Sequence, residues 1–262
     1  MDYHDFEAKI LALTQIDLTL YKENQMKRRI DALINRVQRK HFSNTDIDYE
    51  EYLQKLCIDK DALKYFLDYI TINVTEFFRH TPHWQYLERE VLSQMDNPHI
   101  WSVACSTGQE PYSLVMSLAE HMPLSHIHVL ATDINERALA YALRGIYTAE
   151  EMQQVDEARK ARFFVPSGSG FRICDEVKKC VEFRKMNLLA DTFPTNQDLI
   201  VCRNILIYFT AETKQWLYPA FHDALKPGGI LFTGHTEQII TFKEIGFQKL
   251  TNYLYQRSAD NR

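Results

Sequence analysis

The sequence has few of the residues and runs that mark specialised classes of protein. Its 262 residues include only 8 Gly, 8 Pro and 5 Cys, which excludes collagen-like, disulfide-stapled and wholly disordered chains. No run of about 18 uncharged apolar residues occurs, and residues 1–5 have neither the cations nor the apolar stretch of a signal peptide. We therefore expect a soluble, cytoplasmic protein of one to two domains, with no direct membrane insertion.

Cysteine and histidine give no indication of a metal or redox site. The cysteines, at positions 57, 105, 174, 180 and 202, are scattered and form no C-x-x-C pair. His80 and His83, and likewise His126 and His128, stand close in sequence but have no cysteine or carboxylate cluster beside them. We expect ordinary histidines, idle thiols and no bound metal.

One segment is strongly basic in a chain that is acidic elsewhere. Residues 22–40 contain seven cations and two acids and therefore carry a net charge of +5. Because the whole chain carries −5, the remaining residues carry −10. If this segment is a helix, four arginines lie within an arc of roughly 100° around its axis: Arg28, Arg29, Arg36 and Arg39. This stripe is either a solvated face or a docking surface for an acidic partner. Nucleic acid is disfavoured, because the acidic remainder would repel phosphates and no aromatic residue interleaves the stripe.

The distribution of glycine and proline divides the chain. Residues 1–70 contain neither and repeat apolar residues at helical spacing, which predicts an all-helical domain over residues 1–75. In residues 76–262, apolar β-branched runs alternate with helical stretches, which is typical of a parallel α/β sheet. A helix over 149–164 and a hairpin around the turn at 166–170 predict a small β insert at about 148–181. Residues 247–257 predict a last strand, as half of an antiparallel edge hairpin.

The first strand-to-helix junction, IWSVACSTGQEPY at 100–112, carries the first chemical signal. It has a single glycine, Gly108, so it is not the dinucleotide motif G-x-G-x-x-G. Glu110 at the helix start would repel a phosphate and attract an ammonium group, and Asp133 after the second strand is placed to bind ribose hydroxyls. A nucleoside with an amino-acid tail fits best, as in S-adenosylmethionine. The alternatives are that Glu110 merely favours the helix dipole and that Asp133 caps the next helix.

These stretches belong to a longer series that resembles the CheR-type chemotaxis receptor methyltransferases over nearly the whole chain. The matching stretches are TINVTEFFR at 71–79, STGQEPYS at 106–113, ATDI at 131–134, RGIY at 144–147, NLL at 187–189, CRNILIYF at 202–209 and LKPGGILFTGHTE at 225–237. The resemblance implies a Rossmann-like class I methyltransferase domain with a small β insert, preceded by an all-helical N-terminal domain that docks to the receptor.

The resemblance also implies an activity and a set of site residues. The activity is S-adenosylmethionine-dependent methylation of glutamate side chains in the cytoplasmic helical bundle of chemotaxis receptors, with S-adenosylhomocysteine as product. The implied cofactor contacts are Asn73, Thr75, Arg79, Glu110 with the methionine part, Asp133 with the ribose, Asn187 and Leu188 with the adenine, Arg203 and Asn204. Arg79 and Tyr208 would lie beside the transferred methyl group, and the stripe Arg28, Arg29, Arg36 and Arg39 would meet the receptor. The alternative for Arg79 is a purely structural ion pair with Glu76.

The chain also departs from the family in three places. Gln109 and Asn135 stand where a second glutamate and a second aspartate are frequent, which leaves their effect on cofactor affinity open. The insert around 166–170 is shorter than in enteric members, whose β-subdomain binds a receptor pentapeptide, so we expect docking without that tether. We also expect a monomer. Two alternatives remain: a methyltransferase for nucleic acid or small molecules, and a non-catalytic S-adenosylmethionine-binding scaffold.

Overall fold

The structure is a computed structural model that describes residues 1–38 and 48–259. The chain forms two compact units: Met1–Ile72 with Leu206–Leu217, and Asn73–Ile205 with Tyr218–Arg262. The first unit thus includes a short segment from far along the chain, which a single boundary in sequence does not anticipate. No helix among the described residues is long and apolar enough to cross a membrane.

Four α-helices form most of the first unit: α1 (Tyr3–Thr14), α2 (Glu23–Gln38), α3 (Tyr49–Ile58) and α4 (Lys60–Ile70). Three of them begin after an aspartate, Asp2, Asp48 or Asp59, whose carboxylate accepts backbone N–H groups of the first turn. The Phe6 ring packs 5.2 Å from Tyr49 and 6.3 Å from Phe66. The predicted helical character of this region is confirmed.

The later segment of this unit contains a short 3₁₀ turn, Leu206–Tyr208. The backbone N–H of Lys22 donates to the carbonyl oxygen of Tyr208 at 2.8 Å, and the Thr213 hydroxyl donates to that of Leu20 at 2.9 Å. These bonds place Tyr208 beside the start of α2.

A seven-stranded sheet forms the centre of the second unit. Its strands are β1 (His99–Val103), β2 (His128–Asp133), β6 (Val181–Lys185), β7 (Gln197–Cys202), β8 (Leu225–Thr233), β9 (Phe247–Lys249) and β10 (Leu254–Arg257). Their order is β6-β2-β1-β7-β8-β10-β9, and β10 alone among these seven runs in the direction opposite to the others. The predicted last strand is therefore two strands that form a complete edge hairpin.

The chain reverses its direction of travel across the sheet at β1. From β1 it moves outward to β2 and β6, and it then returns to β7 on the other side of β1. In an open α/β sheet, ligands bind beyond the carboxyl ends of the strands at such a switch point. The expected ligand site therefore lies at the carboxyl ends of β1, β2, β6 and β7.

Helices of 4 to 14 residues accompany the sheet: α5 (Thr81–Glu90), α6 (Gln109–Leu118), α7 (Glu136–Arg144), α8 (Glu157–Phe163), α9 (Asp175–Lys178), α10 (Ala211–Ala224) and α11 (Phe242–Ile245). The insert is a three-stranded antiparallel sheet of β3 (Ile146–Thr148), β4 (Phe164–Ser167) and β5 (Gly170–Ile173). It contains the predicted hairpin, β4–β5, and adds β3.

The helix predicted over 149–164 is wrong at its start. Thr148 and Glu151 bind each other's backbone N–H groups, at 3.2 and 2.8 Å, which is the pattern of a capping box. Turns follow instead of a helix, and α8 begins only after Asp156, whose carboxylate accepts the N–H of Arg159. The capping box that normally marks the start of a helix is therefore present here without the helix that usually follows it.

Candidate active site

The loop after β1 has a strained backbone. Ala104 and Ser106 adopt positive φ angles of 52° and 51°, a conformation that side chains disfavour, and Gly108 follows at 92°. A Cβ atom on Gly108 would lie 2.7 Å from the Cβ of Ala142, so glycine is needed for space as well. Strained non-glycine residues concentrate at functional sites, where neighbouring contacts hold them in place.

Asp133, the last residue of β2, holds this loop. Its carboxylate oxygens accept the backbone N–H groups of Ser106 and Asn135, each at 2.8 Å, and the residue is only 6% exposed. Burial raises the pKa of Asp133, and these backbone donors oppose the rise. Asn135, not Asp133, caps α7 by accepting the N–H groups of Arg137 and Ala138. The capping alternative for Asp133 therefore fails, and its carboxylate remains suited to hydroxyl donors such as those of a ribose.

Glu110 lies in the first turn of α6, and its side chain is 13% exposed. Its carboxylate accepts the Ser102 hydroxyl at 2.8 Å and lies 3.6 Å from Nη1 of Arg203. Burial raises the pKa of Glu110 to about 6, although Arg203 and Ser102 both favour the ionised form. A carboxylate that is buried and only loosely paired is poised to take a further cation, such as an ammonium group.

Arg203, directly after β7, connects Glu110 to the segment that precedes α5. Its side chain is 2% exposed, and its Nη2 donates to the carbonyl oxygen of Arg79 at 2.8 Å. Its guanidinium lies 4.7 Å from the centre of the Phe232 ring. Burial lowers the pKa of Arg203, and the nearby Glu110 opposes that change. Arg79 in turn donates from Nη1 to the carbonyl oxygen of Val74 at 3.0 Å.

Asn204 continues the same edge with a positive φ of 62°. Its backbone N–H and that of Gly234 both donate to Oε2 of Glu237, each at 2.7 Å. Glu237 is 4% exposed, and a Cβ on Gly234 would collide with its carboxylate at 2.2 Å. The sequence predicts no role for Glu237, although this residue is the last of the matching stretch at 225–237.

The remaining predicted cofactor contacts lie on irregular segments and are half-buried. Asn73 and Thr75 precede α5, and Asn187 and Leu188 follow β6. The side-chain oxygen of Asn187 accepts the N–H of Leu189 at 3.0 Å, and its own N–H donates to Asp191. Asn187 thus shapes the turn at the end of β6, and its contact with adenine stays a prediction.

Tyr208, Arg28, Arg29 and Arg36 belong to the first unit. Tyr208 is half-buried, and its role beside the methyl group stays a prediction. Arg28 and Arg36 are exposed on α2, whereas Arg29 is half-buried: its Nε donates to the Tyr69 carbonyl oxygen at 2.6 Å, and its guanidinium lies 4.6 Å from the Tyr69 ring. Arg39 lies outside the described residues.

Two of the three departures from the family, at Gln109 and Asn135, have local explanations. Asn135 is a helix cap, and aspartate is an equally good one, so this difference is conservative. Gln109 is 1% exposed, accepts the Thr107 hydroxyl at 2.7 Å and donates to Glu151 at 3.2 Å. Neither residue replaces Glu110 or Asp133.

Unsatisfied polar atoms at this edge test whether a nucleoside cofactor fits. Six buried side-chain N and O atoms of the described residues have no hydrogen-bond partner, and three lie here: Oγ of Ser106, Nε of Arg203 and Oδ1 of Asn204. Buried polar atoms are normally paired, so these three atoms are available to a polar ligand. With two buried carboxylates and a single glycine in the loop, the site suits a cationic nucleoside better than a pyrophosphate. Fold and site together define a Rossmann-like domain that suits a nucleoside cofactor with a cationic tail.

Comparison with known proteins agrees with this class. Residues 73–253 match the family model described as "CheR methyltransferase, SAM binding domain". A chemotaxis protein methyltransferase of Listeria innocua is 39% identical over 97% of this chain and 96% of its own. That of Escherichia coli is 35% identical over 79% and 76%, and chemotaxis protein methyltransferase 2 of Pseudomonas aeruginosa is 31% identical over 91% and 87%. The chain belongs to the CheR methyltransferase family, and its cofactor is S-adenosylmethionine.

Proposed function

We propose that this chain methylates glutamate side chains in the cytoplasmic helical bundle of chemotaxis receptors, producing glutamate methyl esters and S-adenosylhomocysteine. The observation that carries the proposal is the buried Glu110, with its pKa raised to about 6 and Arg203 3.6 Å away, at the switch point of the sheet. The names of the relatives, chemotaxis protein methyltransferases, support the choice of substrate.

The reaction needs no general base. A glutamate carboxylate has an ordinary pKa of about 4.3 and is already ionised at neutral pH. When bound, S-adenosylmethionine supplies an electrophilic methyl group on a sulfonium. The protein's task is to strip water from the carboxylate and to align it with that methyl group.

Each residue of the site has a part in that task. Glu110 binds the ammonium end of the cofactor and Asp133 its ribose hydroxyls, while Asn187 and Leu188 border the adenine. Arg203 keeps Glu110 ionised and, through the carbonyl oxygen of Arg79, orders the segment that carries Asn73 and Thr75. The Arg79 guanidinium orients the acceptor carboxylate by a charge-assisted hydrogen bond, and the hydroxyl of Tyr208 borders the path of the methyl group.

We propose that the first domain, residues 1–75, docks to the receptor as a monomer and without a pentapeptide tether. Arg28 and Arg36 are exposed and therefore available to an acidic helical bundle, whereas Arg29 is held by Tyr69. Exposed charges of this kind raise the association rate, and salt weakens their effect. Reversing Arg28 and Arg36 should therefore lower kcat/KM for the receptor mainly at low salt, while reversing Arg29 should instead lower stability.

The decisive experiment supplies methyl-labelled S-adenosylmethionine and a receptor cytoplasmic fragment. We expect base-labile label on glutamate, its loss in Arg79→Ala, and normal transfer in Arg184→Ala, a matched control on the exposed end of β6. Label on nucleic acid or a small molecule would support a different methyltransferase. Tight binding of S-adenosylhomocysteine without transfer to the fragment would indicate a scaffold. Calorimetric binding of a receptor-tail pentapeptide would contradict the tether-free mode of docking.

A further inference from the structure

One side chain of the insert reaches the cofactor loop directly. Glu151 follows β3, and its Oε1 accepts the Nε2–H of Gln109 at 3.2 Å. Gln109 is the first residue of α6, between Gly108 and Glu110, and its own oxygen accepts the Thr107 hydroxyl at 2.7 Å. Both ends of the Gln109 amide are therefore used.

The position of Glu151 is itself fixed by the surrounding structure. Its second oxygen, Oε2, accepts the Tyr141 hydroxyl and the Thr148 backbone N–H, each at 2.8 Å. Tyr141 is on α7 and Thr148 ends β3. An ionised carboxylate offers only acceptors, so every neighbour of Glu151 must donate. At position 109, glutamine meets that requirement and glutamate does not.

A second contact links the insert to the same loop. The hydroxyl of Tyr147 on β3 donates to the carbonyl oxygen of Thr107 at 2.8 Å. The Tyr147 ring is fully buried and packs edge-on at 4.9 Å against Phe77. The loop whose Ser106 N–H binds Asp133 therefore lies against the insert at two points, at Thr107 and at Gln109.

We propose that Glu151 is a positioning residue for the cofactor loop. Through Gln109 it sets the start of α6, where Glu110 binds the ammonium group, so the insert tunes cofactor affinity without touching the reacting atoms. This inference rests on the proposed function, because it assumes that the loop holds the cofactor. It also gives the departure at position 109 a reason, since Gln109 and Glu151 are a matched donor–acceptor pair.

Exchanging the two residues tests the pairing. Gln109→Glu places two carboxylates in contact, and we expect S-adenosylhomocysteine to bind at least tenfold more weakly at pH 8. Glu151→Gln removes the charge from the hydrogen bond and should weaken binding severalfold. In the double variant Gln109→Glu/Glu151→Gln, the new amide oxygen accepts Tyr141 and Thr148 while its N–H donates to the new carboxylate. All bonds are then restored, and affinity should return to within about threefold of the original.

Calorimetry gives the affinities, and steady-state kinetics should show a raised KM for the cofactor with kcat unchanged. Glu150→Gln, the same chemical change at the exposed neighbouring residue, is the matched control. The inference is overturned if Gln109→Glu binds S-adenosylhomocysteine normally. It is also overturned if the double variant binds it no better than the single variants do. Should Gln109→Glu fail to fold, Glu151→Gln and the double variant still decide the question. An unmodified protein that binds S-adenosylhomocysteine but does not methylate glutamate would overturn the proposed function and leave this test intact.

Discussion

Replacing Glu110 by glutamine should make the protein more stable and less able to bind its cofactor. The pKa of Glu110 rises from 4.5 to about 6 because the side chain is buried. Each pKa unit corresponds to about 1.4 kcal/mol, so ionised Glu110 costs the folded protein about 2 kcal/mol at neutral pH. Glutamine retains an acceptor for Ser102 without the charge, so Glu110→Gln should raise the free energy of unfolding by about that amount.

An opposing effect comes from Arg203, which loses its partner in this variant. Removing one member of a buried ion pair often costs about 3–5 kcal/mol. Here the two groups are 3.6 Å apart, longer than a charge-assisted hydrogen bond, and Arg203 keeps its bond to Arg79 and its contact with Phe232. The attraction of Arg203 is also already included in the raised pKa of Glu110. We therefore expect the stability gained by removing the buried charge of Glu110 to exceed the stability lost with its ion pair to Arg203.

The pH dependence provides the sharper measurement. Between pH 4.5 and about 6 the folded protein binds the Glu110 proton more tightly than the unfolded chain does, so this contribution to stability falls as pH rises through that window. Urea unfolding of the cofactor-free protein at pH 5 and 7.5 should show the gap between Glu110→Gln and the original sequence widening with pH. A variant that is less stable at pH 7.5, or a gap that does not change with pH, would refute the reasoning.

Cofactor binding should respond in the opposite direction. Because an ammonium group favours the ionised carboxylate, S-adenosylhomocysteine should lower the pKa of Glu110 and release protons on binding below about pH 6. Its affinity should fall as pH drops through that value in the original sequence, and this dependence should be absent in Glu110→Gln, which binds weakly throughout. Calorimetry in buffers of different ionisation enthalpy measures the released protons.

Three further predictions concern residues around the site. Glu237→Ala leaves the N–H groups of Asn204 and Gly234 without their acceptor and should cost about 2–3 kcal/mol in urea unfolding and abolish S-adenosylhomocysteine binding, whereas Glu237→Gln should be milder. Gly108→Ala, with a positive φ and a 2.7 Å contact to Ala142, should cost about 1–3 kcal/mol; normal stability would contradict the geometry. Asn135→Asp should leave cofactor affinity and stability unchanged, and Asn135→Ala should lower stability by about 1 kcal/mol in the same assay.

Sequence predicted the parts of this molecule that depend on local pattern. The buried strands appear as apolar runs. Glu110 and Asp133 are predicted cofactor contacts because their chemistry excludes a phosphate and their spacing fits one βαβ unit. Glu237 was missed because its role requires Asn204, 33 residues away, to present its N–H group in a positive-φ conformation. The Gln109–Glu151 bond spans 42 residues and has no repeating pattern.

The false helix at 149–156 shows a different limit. Thr148 and Glu151 have the right spacing for a capping box and do form one, but Glu151 is also bound by Tyr141 and Gln109 from outside the segment. The predicted helix is therefore wrong here, because long-range partners hold this side chain in a turn. Such an override is expected where a residue serves a site rather than its own helix.

The cofactor edge combines features that each reduce stability: positive φ at Ala104, Ser106 and Asn204, a buried carboxylate at Glu110, and a buried arginine at position 203. A cofactor with an ammonium group and ribose hydroxyls would give Glu110 a second cation and Asp133 new donors, which removes much of the burial penalty. Part of the free energy of cofactor binding therefore comes from relieving the burial penalty of the unliganded site. It follows that stabilising substitutions at this edge should weaken binding, whereas those in the β9–β10 hairpin should not.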